Sequence, residues 1–330
     1  IKTRTRFRSA SRRDGVWRIA TEDTSTGEEE TSITRFIVNA AGPWVDRVLG
    51  TSVDGTEKNV RLVQGSHIVV RKMFDHERCY LFQTSDKRVV FAIPYQQDYT
   101  LIGTTDLDHE GDPSDTEVTP REVSYLCDAV NRYFSQAVSE DDVVWAYSGV
   151  RALYDDGASA AQDATRDYVL RQDGGEGDAP ILNVFGGKIT TYRRLAEAAV
   201  KMIEERLGPR LPSWTRTAPL PGGDFGIDGL EELVSMARSR TPFIETSQLR
   251  RMVDAYGTLI ADIAGDADSA EDMGEDFGGG LTAREVSYLM EREWAQTADD
   301  VLWRRSKLGL RMSAEQVHRL SEWMRNRTRV

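Results

Sequence analysis

The chain has 330 residues, of which 39 % are hydrophobic and 29 % charged, a composition typical of a folded globular protein and not of a disordered one. Its net charge of −12 argues against a nucleic-acid-binding protein and favours a small ligand, whose anionic groups would be bound by local arginine and lysine side chains. No apolar run reaches about 18 residues, so no membrane-spanning helix is predicted, and the isolated Cys79 and Cys127 suit a reduced cytoplasmic setting better than a zinc or iron–sulfur site.

The first 60 residues are predicted to form strands and turns. Residues 1–20 are predicted as one strand of alternating character, and residues 21–31 as an acidic turn. Residues 36–44 form an apolar run that ends in small residues and a Gly-Pro break. Small residues there allow the backbone to approach another group closely.

Short β-rich runs between residues 61 and 106 predict a largely antiparallel sheet. A helix follows, with Thr119 as its N-cap, Pro120 in its first turn and Glu122 completing a capping box. After this helix, the apolar run 143–153 predicts another strand.

The region after residue 230 is predicted to be helical, with two more capping boxes, at Thr282 and Glu285 and at Ser313 and Gln316. The acidic stretch between Gly265 and Gly280 is expected to be a solvated loop.

The strongest local signal is Phe185-Gly-Gly-Lys-Ile-Thr-Thr-Tyr192, in which a buried strand, two glycines and a helix start follow one another. Such a turn exposes backbone N–H groups and the positive end of the helix dipole, and Lys188 adds a charge at the same place. A phosphate or a flat ring fits this arrangement. Glycines between a strand and a helix are also common in purely structural connections, and both interpretations stay open here.

Three further side chains are candidates for binding or catalysis. Arg151 and Arg166 each lie beside a strand end or a turn, where an arginine binds phosphate in a forked geometry or forms an ordinary surface ion pair. His67 begins an apolar strand, where it acts as a general base or as a hydrogen-bonded core residue.

Together these segments resemble the FAD-dependent glycerol-3-phosphate dehydrogenases, and the likeness runs in order through nearly the whole chain. The matching runs are Asn39-Ala-Ala-Gly-Pro-Trp44, Gln64-Gly-Ser-His-Ile-Val-Val70, Leu101-Ile-Gly-Thr-Thr-Asp106, Tyr147-Ser-Gly-Val-Arg151, Thr165-Arg-Asp-Tyr168, Phe185-Gly-Gly-Lys-Ile-Thr-Thr-Tyr-Arg193 and Thr297-Ala-Asp-Asp-Val-Leu-Trp-Arg-Arg-Ser-Lys-Leu-Gly309. The first of these is shared by many flavin oxidases. The second, the third and the last are more specific, and their combination carries the resemblance.

The resemblance implies an α/β (α+β) fold in which a Rossmann-like FAD-binding domain is interleaved with an antiparallel substrate sheet of the D-amino-acid-oxidase type. A helical domain completes the fold. The expected division is part of the FAD-binding domain in residues 1–60, the substrate sheet with its helix in 61–145, a return to the FAD-binding domain in 146–212, and the helical domain in 213–330.

The resemblance also implies a reaction, in which sn-glycerol 3-phosphate is oxidised to dihydroxyacetone phosphate by hydride transfer from C2 to FAD. Electrons then pass to a quinone, which implies peripheral association with the cytoplasmic face of the inner membrane. A homodimer contact or a membrane surface is one expectation for the helical tail. The other is that its tryptophans are core residues of a small helical domain.

The roles that the resemblance implies for single residues fall into three groups. His67 is expected to be the base at the C2 hydroxyl, and Lys188 is expected to lie between flavin and substrate. Arg151 and Arg166 would bind the substrate phosphate, and Thr105 would shape the substrate site. The residues expected against the FAD are Ala41, Gly42, Pro43, Trp44, Gly186, Gly187, Lys188, Thr190 and Thr191.

One family feature has no counterpart in these residues, the Gly-x-Gly-x-x-Gly turn that holds the FAD pyrophosphate. The sequence is therefore expected to be the carboxy-terminal portion of such an enzyme, weak in FAD binding and inactive by itself. Two alternatives stay open: a glycerol-3-phosphate oxidase that uses oxygen, and a non-catalytic binding module.

Overall fold

The computed structural model describes residues 1–52, 58–157, 165–175, 177–209 and 211–328. Two compact units follow one another along the chain, Ile1–Ser213 and Trp214–Val330. The first unit is a mixture of strands and helices, and the second is built from helices. In the described part of the chain, no helix combines the length and the apolar composition that crossing a bilayer requires.

The first unit begins with strands, and its α-helices lie between and after them. The strands are β1 (Thr5–Arg13), β2 (Val16–Asp23), β3 (Glu29–Thr34), β4 (Ile37–Asn39), β5 (Val60–Arg71), β6 (Tyr80–Gln83), β7 (Val89–Tyr95), β8 (Tyr99–Gly103), β9 (Leu107–Asp108), β10 (Val143–Tyr154), β11 (Tyr168–Asp173) and β12 (Ile181–Gly186). The α-helices are α1 (Val45–Gly50), α2 (Pro120–Asn131) and α3 (Tyr192–Leu207).

The first sheet is antiparallel and has the strand order β1-β2-β3. The prediction of one strand over residues 1–20 is wrong, because the chain reverses between β1 and β2. Asp14 and Gly15 make this turn with φ values of 53° and 73°. Asp-Gly favours a two-residue hairpin whose central residues both need positive φ.

The second sheet has six strands in the order β10-β5-β8-β7-β6, with β9 paired to β5. Its neighbours on this path are antiparallel, as the sequence predicts. One face packs on α2, where Leu126 and Val130 are buried against Ile68 and Ile102. The interface between this face and α2 is apolar, because the strands and the helix both contribute apolar side chains to it.

The start of α2 agrees with the predicted capping box. The Thr119 side chain accepts a hydrogen bond from the Glu122 backbone N–H, and the Glu122 carboxylate accepts one from the Thr119 backbone N–H. Pro120 lies in the first turn, where its missing N–H leaves no helix hydrogen bond unmade.

The third sheet has the order β11-β12-β4, and β12 runs parallel to β4. Its centre is β12, whose residues Ile181–Phe185 are buried. After β12 the chain passes through a glycine turn and a short 3₁₀ helix into α3, which ends at Leu207 and is followed by Gly208. The strand, the turn and the helix thus follow the predicted order.

The second unit contains the remaining helices, which surround one apolar core. They are α4 (Leu230–Arg240), α5 (Thr246–Tyr256), α6 (Ile260–Ala264), α7 (Ala283–Arg292) and α8 (Ala314–Thr328). A π-helical turn, Asp300–Arg305, precedes α8. Trp303 and Trp323 pack against the core, as expected for core tryptophans, whereas Trp294 is half exposed.

Two expectations for this unit are corrected. Thr282 and Glu285 form no capping box, because the Glu285 carboxylate instead accepts hydrogen bonds from Arg251 and Tyr256. The stretch expected as a solvated loop buries Phe277 and Met273 in the core. The box at Ser313 and Gln316 is present before α8, with both reciprocal hydrogen bonds made.

Candidate active site

His67, Tyr147 and Arg151 share one face of the six-stranded sheet. In the antiparallel pair of β5 and β10, Tyr147 is opposite His67 and Arg151 is opposite Val63. Because side chains alternate along a strand, all three project from the face opposite to α2. The sheet therefore brings a proton acceptor and a permanent cation to the same surface.

The imidazole of His67 is held in a tight environment. It stacks on Tyr147 with ring centroids 5.0 Å apart and planes 6° from parallel. Burial, reinforced by the positive charge of Arg151, lowers the pKa of His67 to about 4. The ring is therefore neutral near pH 7 and has a lone pair that can accept a proton. Its Nδ1 is buried and has no hydrogen-bond partner among the described residues.

Two glycines make room for the functional side chains. A β carbon on Gly103 would overlap the His67 ring, and a β carbon on Gly65 would overlap the Arg151 guanidinium. Neither glycine has a positive φ, so the requirement at both positions is for space. The Gly65-Ser-His67 and Gly103-Thr motifs are thus explained by the packing of His67 and Arg151.

Arg151 is oriented by the turn that follows β8. Its Nη1 donates to Asp106 Oδ1 at 2.6 Å, and its Nη2 donates to Thr104 Oγ1 at 2.9 Å. A longer hydrogen bond of 3.4 Å joins Nη1 to the Thr105 carbonyl oxygen. The pair with Asp106 is partly buried, with exposed side-chain fractions of 31 % for Arg151 and 14 % for Asp106. The guanidinium is thereby fixed while part of it stays accessible.

The structure places the Thr105 side chain inside the protein and not on the open surface. Thr105 is 1 % exposed, and its hydroxyl donates to Glu122 Oε1 at 2.7 Å while accepting from the Ser66 backbone N–H at 2.9 Å. The side chain thus has no free donor, so its expected contribution to the substrate site is limited to shaping the turn that holds Arg151.

A second group of candidates lies at the carboxyl ends of β4 and β12. These strands are parallel, with Asn39 opposite Asn183, so their carboxyl ends meet at one edge of the sheet. The side chains of Asn39 and Asn183 join the two strands through a hydrogen bond of 2.9 Å. In open α/β sheets ligands bind at this edge.

The turns at this edge expose backbone. After β4, Ala41 precedes a 3₁₀ helix of Gly42, Pro43 and Trp44, and within the described chain no atom lies within 4 Å of the place where Gly42 would carry a β carbon. Pro43 is partly exposed and Trp44 is exposed. Small residues there leave the main chain open to a flat ligand.

After β12, Gly186 and Gly187 have φ values of 68° and 99°, a conformation that favours glycine. Lys188 and Thr190 are exposed, whereas the Thr191 hydroxyl donates to the Lys188 carbonyl oxygen at 2.9 Å. The backbone N–H groups of Gly187 and Lys188 have no hydrogen-bond partner within the described residues. Unpaired N–H groups beside a lysine suit an electron-rich ring edge or an anion.

These two turns fit part of an FAD site. The glycine conformations and the exposed N–H groups meet the needs of a flavin ring that approaches the main chain closely. The pyrophosphate has no matching turn, since the 330 residues contain no Gly-x-Gly-x-x-Gly. The cradle is therefore suited to the ring end of the cofactor.

Arg166 is not joined to this arrangement. It is exposed on the segment before β11, and no hydrogen bond or ion pair to it occurs among the described residues. Its expected role at the substrate phosphate stays a prediction.

The sequence did not predict three features of the site. They are the stacking of Tyr147 on His67, the contacts that Glu122 makes beyond its capping box, and the space that Gly65 and Gly103 leave for neighbouring side chains. The signal for the glycines was available, because each lies two residues from His67 or Thr105 in a strand that otherwise carries side chains. The stacking of Tyr147 depends on strand register, which local patterns do not specify.

Family comparison agrees with the arrangement of the two units. Residues 1–193 match the model of the FAD dependent oxidoreductase family, and residues 213–328 match the C-terminal domain of alpha-glycerophosphate oxidase.

Among curated proteins, the chain is 40 % identical over 325 residues to the aerobic glycerol-3-phosphate dehydrogenase of Escherichia coli, covering 98 % of the chain and 65 % of the relative. It is 42 % identical over 327 residues to the D-erythritol 1-phosphate dehydrogenase of Brucella abortus, covering 99 % and 65 %. The chain thus spans somewhat less than two thirds of these relatives.

A solved structure shares the fold. The glycerol-3-phosphate dehydrogenase of Bacillus halodurans, complexed with FAD, matches with a TM-score of 0.81 and 25 % identity over 98 % of this chain and 64 % of the other.

Proposed function

The chain belongs to the family of FAD-dependent oxidoreductases, and on that premise we propose that its site oxidises sn-glycerol 3-phosphate to dihydroxyacetone phosphate. The observation that carries the proposal is the common sheet face of Arg151 and His67. A phosphorylated secondary alcohol needs a cation for one end and a proton acceptor for the other. The names of the relatives support this substrate class.

In the proposed reaction Arg151 binds the substrate phosphate. Its Nη atoms are anchored by Asp106 and Thr104, and part of the side chain stays exposed. A guanidinium held in this way binds a phosphate without first losing side-chain freedom.

His67 accepts the proton of the C2 hydroxyl. Neutral at physiological pH, it is ready to act without prior deprotonation, and its stacking on Tyr147 fixes the direction of the lone pair. General-base catalysis of this kind typically accelerates a reaction about 10²- to 10⁴-fold.

FAD, when bound, supplies the acceptor for the hydride that leaves C2. The chain's own contribution is the ring end of the cradle, in which Gly186 and Gly187 give close backbone approach and Lys188 provides a positive charge. Ala41, Gly42, Pro43, Trp44, Thr190 and Thr191 border the same sheet edge. Because no pyrophosphate turn occurs in these residues, this chain by itself is proposed to bind FAD weakly and to be inactive.

The proposed final electron acceptor is a quinone, which the enzyme would reach by peripheral association with a membrane. The competing acceptor is oxygen, as in a glycerol-3-phosphate oxidase. Substrate-dependent oxygen uptake without added quinone favours the oxidase, and activity that needs quinone favours the dehydrogenase.

A second substrate is favoured by one observation, the 42 % identity to the D-erythritol 1-phosphate dehydrogenase of Brucella abortus. D-Erythritol 1-phosphate has the same phosphate and the same adjacent secondary alcohol on a longer chain. Comparing kcat/KM for the two polyol phosphates decides between them.

The test uses an extended protein, defined as this chain preceded by a strand–turn–helix segment with Gly-x-Gly-x-x-Gly. The segment is taken from the coding sequence ahead of Ile1 or, where none is present, from a relative. We expect the extended protein to purify with FAD and to oxidise sn-glycerol 3-phosphate, and the 330-residue chain to do neither. A colourless, inactive extended protein contradicts the proposal, and leaves the binding-module interpretation.

His67→Asn and Arg151→Lys separate the two proposed roles in the extended protein. We expect His67→Asn to slow flavin reduction with little change in KM, and Arg151→Lys to raise KM because the forked contact is lost. An unchanged rate of flavin reduction in His67→Asn rules out His67 as the base.

A further inference from the structure

Glu122 carries more hydrogen bonds than a helix cap requires. It is 3 % exposed, and its Oε2 accepts from the Thr119 backbone N–H and hydroxyl, at 3.0 Å and 2.9 Å, which completes the capping box. The same oxygen accepts from Gln64 Nε2 at 3.2 Å. The other oxygen, Oε1, accepts from the hydroxyls of Ser66 and Thr105, each at 2.7 Å.

These neutral donors keep the carboxylate ionised. Burial alone raises the pKa of a carboxyl group, but the hydrogen bonds from Thr119, Ser66 and Thr105 outweigh burial and hold the pKa of Glu122 below its usual value. A charged oxygen binds hydroxyl donors about twice as strongly as a neutral acceptor does. The carboxylate is thus a strong anchor for the two segments that supply Ser66 and Thr105.

Both segments lead directly to the proposed substrate-binding residues. Ser66 precedes His67 in β5, and its backbone N–H donates to Thr105 Oγ1 at 2.9 Å. Thr105 lies between Thr104 and Asp106, the two side chains that accept hydrogen bonds from Arg151. Glu122 therefore ties α2, β5 and the turn after β8 together, through residues adjacent to His67 and to the two side chains that orient Arg151.

We propose that Glu122 is a positioning residue for phosphate recognition: by fixing Thr105 and Ser66, it holds the Thr104–Asp106 turn in the place where Arg151 presents its guanidinium to the substrate phosphate. This inference rests on the proposed function and names a residue that acts through Arg151. Glu122 itself belongs to α2, which packs on the side of the sheet opposite to His67, so it acts without touching the substrate.

The geometry of Arg151 explains why a small shift of the turn matters. Nη1 donates to Asp106 and to the Thr105 carbonyl, and Nη2 donates one hydrogen to Thr104. Among the described contacts this leaves the Nε–H and one N–H of Nη2 for a phosphate. If the turn moves, these two N–H groups change direction together, and the forked contact with the phosphate is lost.

The experiment compares Glu122→Gln with the wild type in the FAD-loaded extended protein. Glutamine keeps the size of the side chain but replaces one acceptor oxygen by a donor, so at least one hydroxyl donor loses its partner. We expect KM for sn-glycerol 3-phosphate to rise about tenfold to a hundredfold with a smaller change in kcat, and the dissociation constant of inorganic phosphate to rise in parallel.

Asp142→Asn is the matched control. Asp142 completes an exposed capping box with Ser139, accepting from the Ser139 backbone N–H at 2.8 Å and from its hydroxyl at 2.6 Å. The same acid-to-amide change there should leave KM for the polyol phosphate and the dissociation constant of inorganic phosphate within about twofold of the wild type.

Thr105→Val keeps the proposal testable if Glu122→Gln fails to fold. Valine has the shape of threonine and leaves the capping box intact, but it cuts the link between Glu122 and the turn. We expect the same direction of change, with a smaller rise in KM. Wild-type KM and wild-type phosphate affinity in both variants, or in Thr105→Val when it is the one that folds, contradict the inference. A lower melting temperature without a change in KM does so too, since it indicates a structural role alone.

Failure of the proposed function gives a different result. In that case no polyol phosphate reduces the flavin of the wild-type extended protein, and the phosphate titration alone decides the inference. Weaker phosphate binding in Glu122→Gln or Thr105→Val than in the wild type and in Asp142→Asn supports it. Equal dissociation constants, or no binding to the wild type, contradict it.

Discussion

Glu122 in α2 and Glu285 in α7 occupy the same position in their helices and are both buried, but different partners satisfy them. Glu122 accepts hydrogen bonds from neutral hydroxyl, amide and backbone groups. Glu285 accepts from both Nη atoms of Arg251 and from the Tyr256 hydroxyl, each at 2.7 Å. The helical unit thus neutralises its buried carboxylate with an internal cation. Near the proposed site the Glu122 carboxylate needs no cation. Arg151, which pairs with Asp106, can therefore also bind the phosphate of a substrate.

The largest expected effect on stability comes from removing the Arg251 cation from the helical unit. Arg251→Met leaves the Glu285 carboxylate charged and buried without its main partner, which typically costs about 3–5 kcal/mol. We expect that loss in the free energy of unfolding, measured by hydrogen exchange of α5 and α7.

Arg250→Met is the control for this prediction, because Arg250 is the next residue and forms exposed ion pairs with Glu231 and Asp254. Its loss should cost about 1 kcal/mol or less. Equal losses in the two variants would mean that burial does not distinguish these ion pairs.

The site is expected to show its own electrostatic signature through His67. The pKa of its imidazole is lowered from 6.5 to about 4, so the folded protein binds the proton less tightly than the unfolded chain does. The contribution of His67 to the free energy of unfolding is therefore complete above pH 6.5, falls as the pH decreases, and is fully lost below about pH 4. The difference corresponds to roughly 3 kcal/mol.

Two measurements check this pH dependence. Between pH 7 and pH 4 the wild type should lose more free energy of unfolding than His67→Asn. The carboxylates titrate in the same way in both proteins, so the difference between them reports on His67. A nuclear magnetic resonance titration should give a higher pKa for His67 in Arg151→Met than in the wild type, because a nearby positive charge is removed. A wild-type pKa near 6.5 contradicts the described environment.

The space around His67 gives the next prediction. Gly103→Ala introduces a methyl group where the imidazole lies, and overpacking of this kind costs about 1–3 kcal/mol. We expect a lower melting temperature and slower flavin reduction in the extended protein. Gly149→Ala is the control in the same sheet, since the described chain has no atom within 4 Å of that position. Similar effects of both changes would show that strand propensity, and not the position of His67, is responsible.

The two threonines that precede the helices give the smallest expected effect. Thr119→Ala removes a side-chain cap and should cost about 1 kcal/mol. Thr282→Ala should cost close to nothing, because the Thr282 hydroxyl is buried without a hydrogen-bond partner among the described residues. Denaturant titration of both variants checks this, and an equal loss would indicate that Thr282 caps α7 in solution.

The same pair shows how far local sequence patterns reach. Thr119, Pro120 and Glu122 predict the start of α2 correctly, because every group that the capping box needs lies within four residues. Thr282 and Glu285 present the same pattern, but Arg251 from another helix competes for the carboxylate with a stronger interaction. A partner that is distant in sequence cannot be predicted from spacing alone.

The strands and the site follow the same rule. The turn at Asp14 and Gly15 was predictable from the Asp-Gly dipeptide, although the alternating pattern on both sides suggested one strand. The residues His67 and Arg151 were identified as candidates from the sequence. Their common face and the stacking of Tyr147 depend on the register between β5 and β10, which becomes visible only in the folded sheet.

The most direct test of the proposed function is the visible absorbance of the FAD-loaded extended protein, mixed with substrate in the absence of oxygen. We expect sn-glycerol 3-phosphate to bleach the flavin rapidly, glycerol to bleach it far more slowly, and Arg151→Lys to reduce the difference between them. No bleaching by any polyol phosphate, or equal rates with glycerol and sn-glycerol 3-phosphate, would contradict the proposal that this sheet face recognises and oxidises a phosphorylated alcohol.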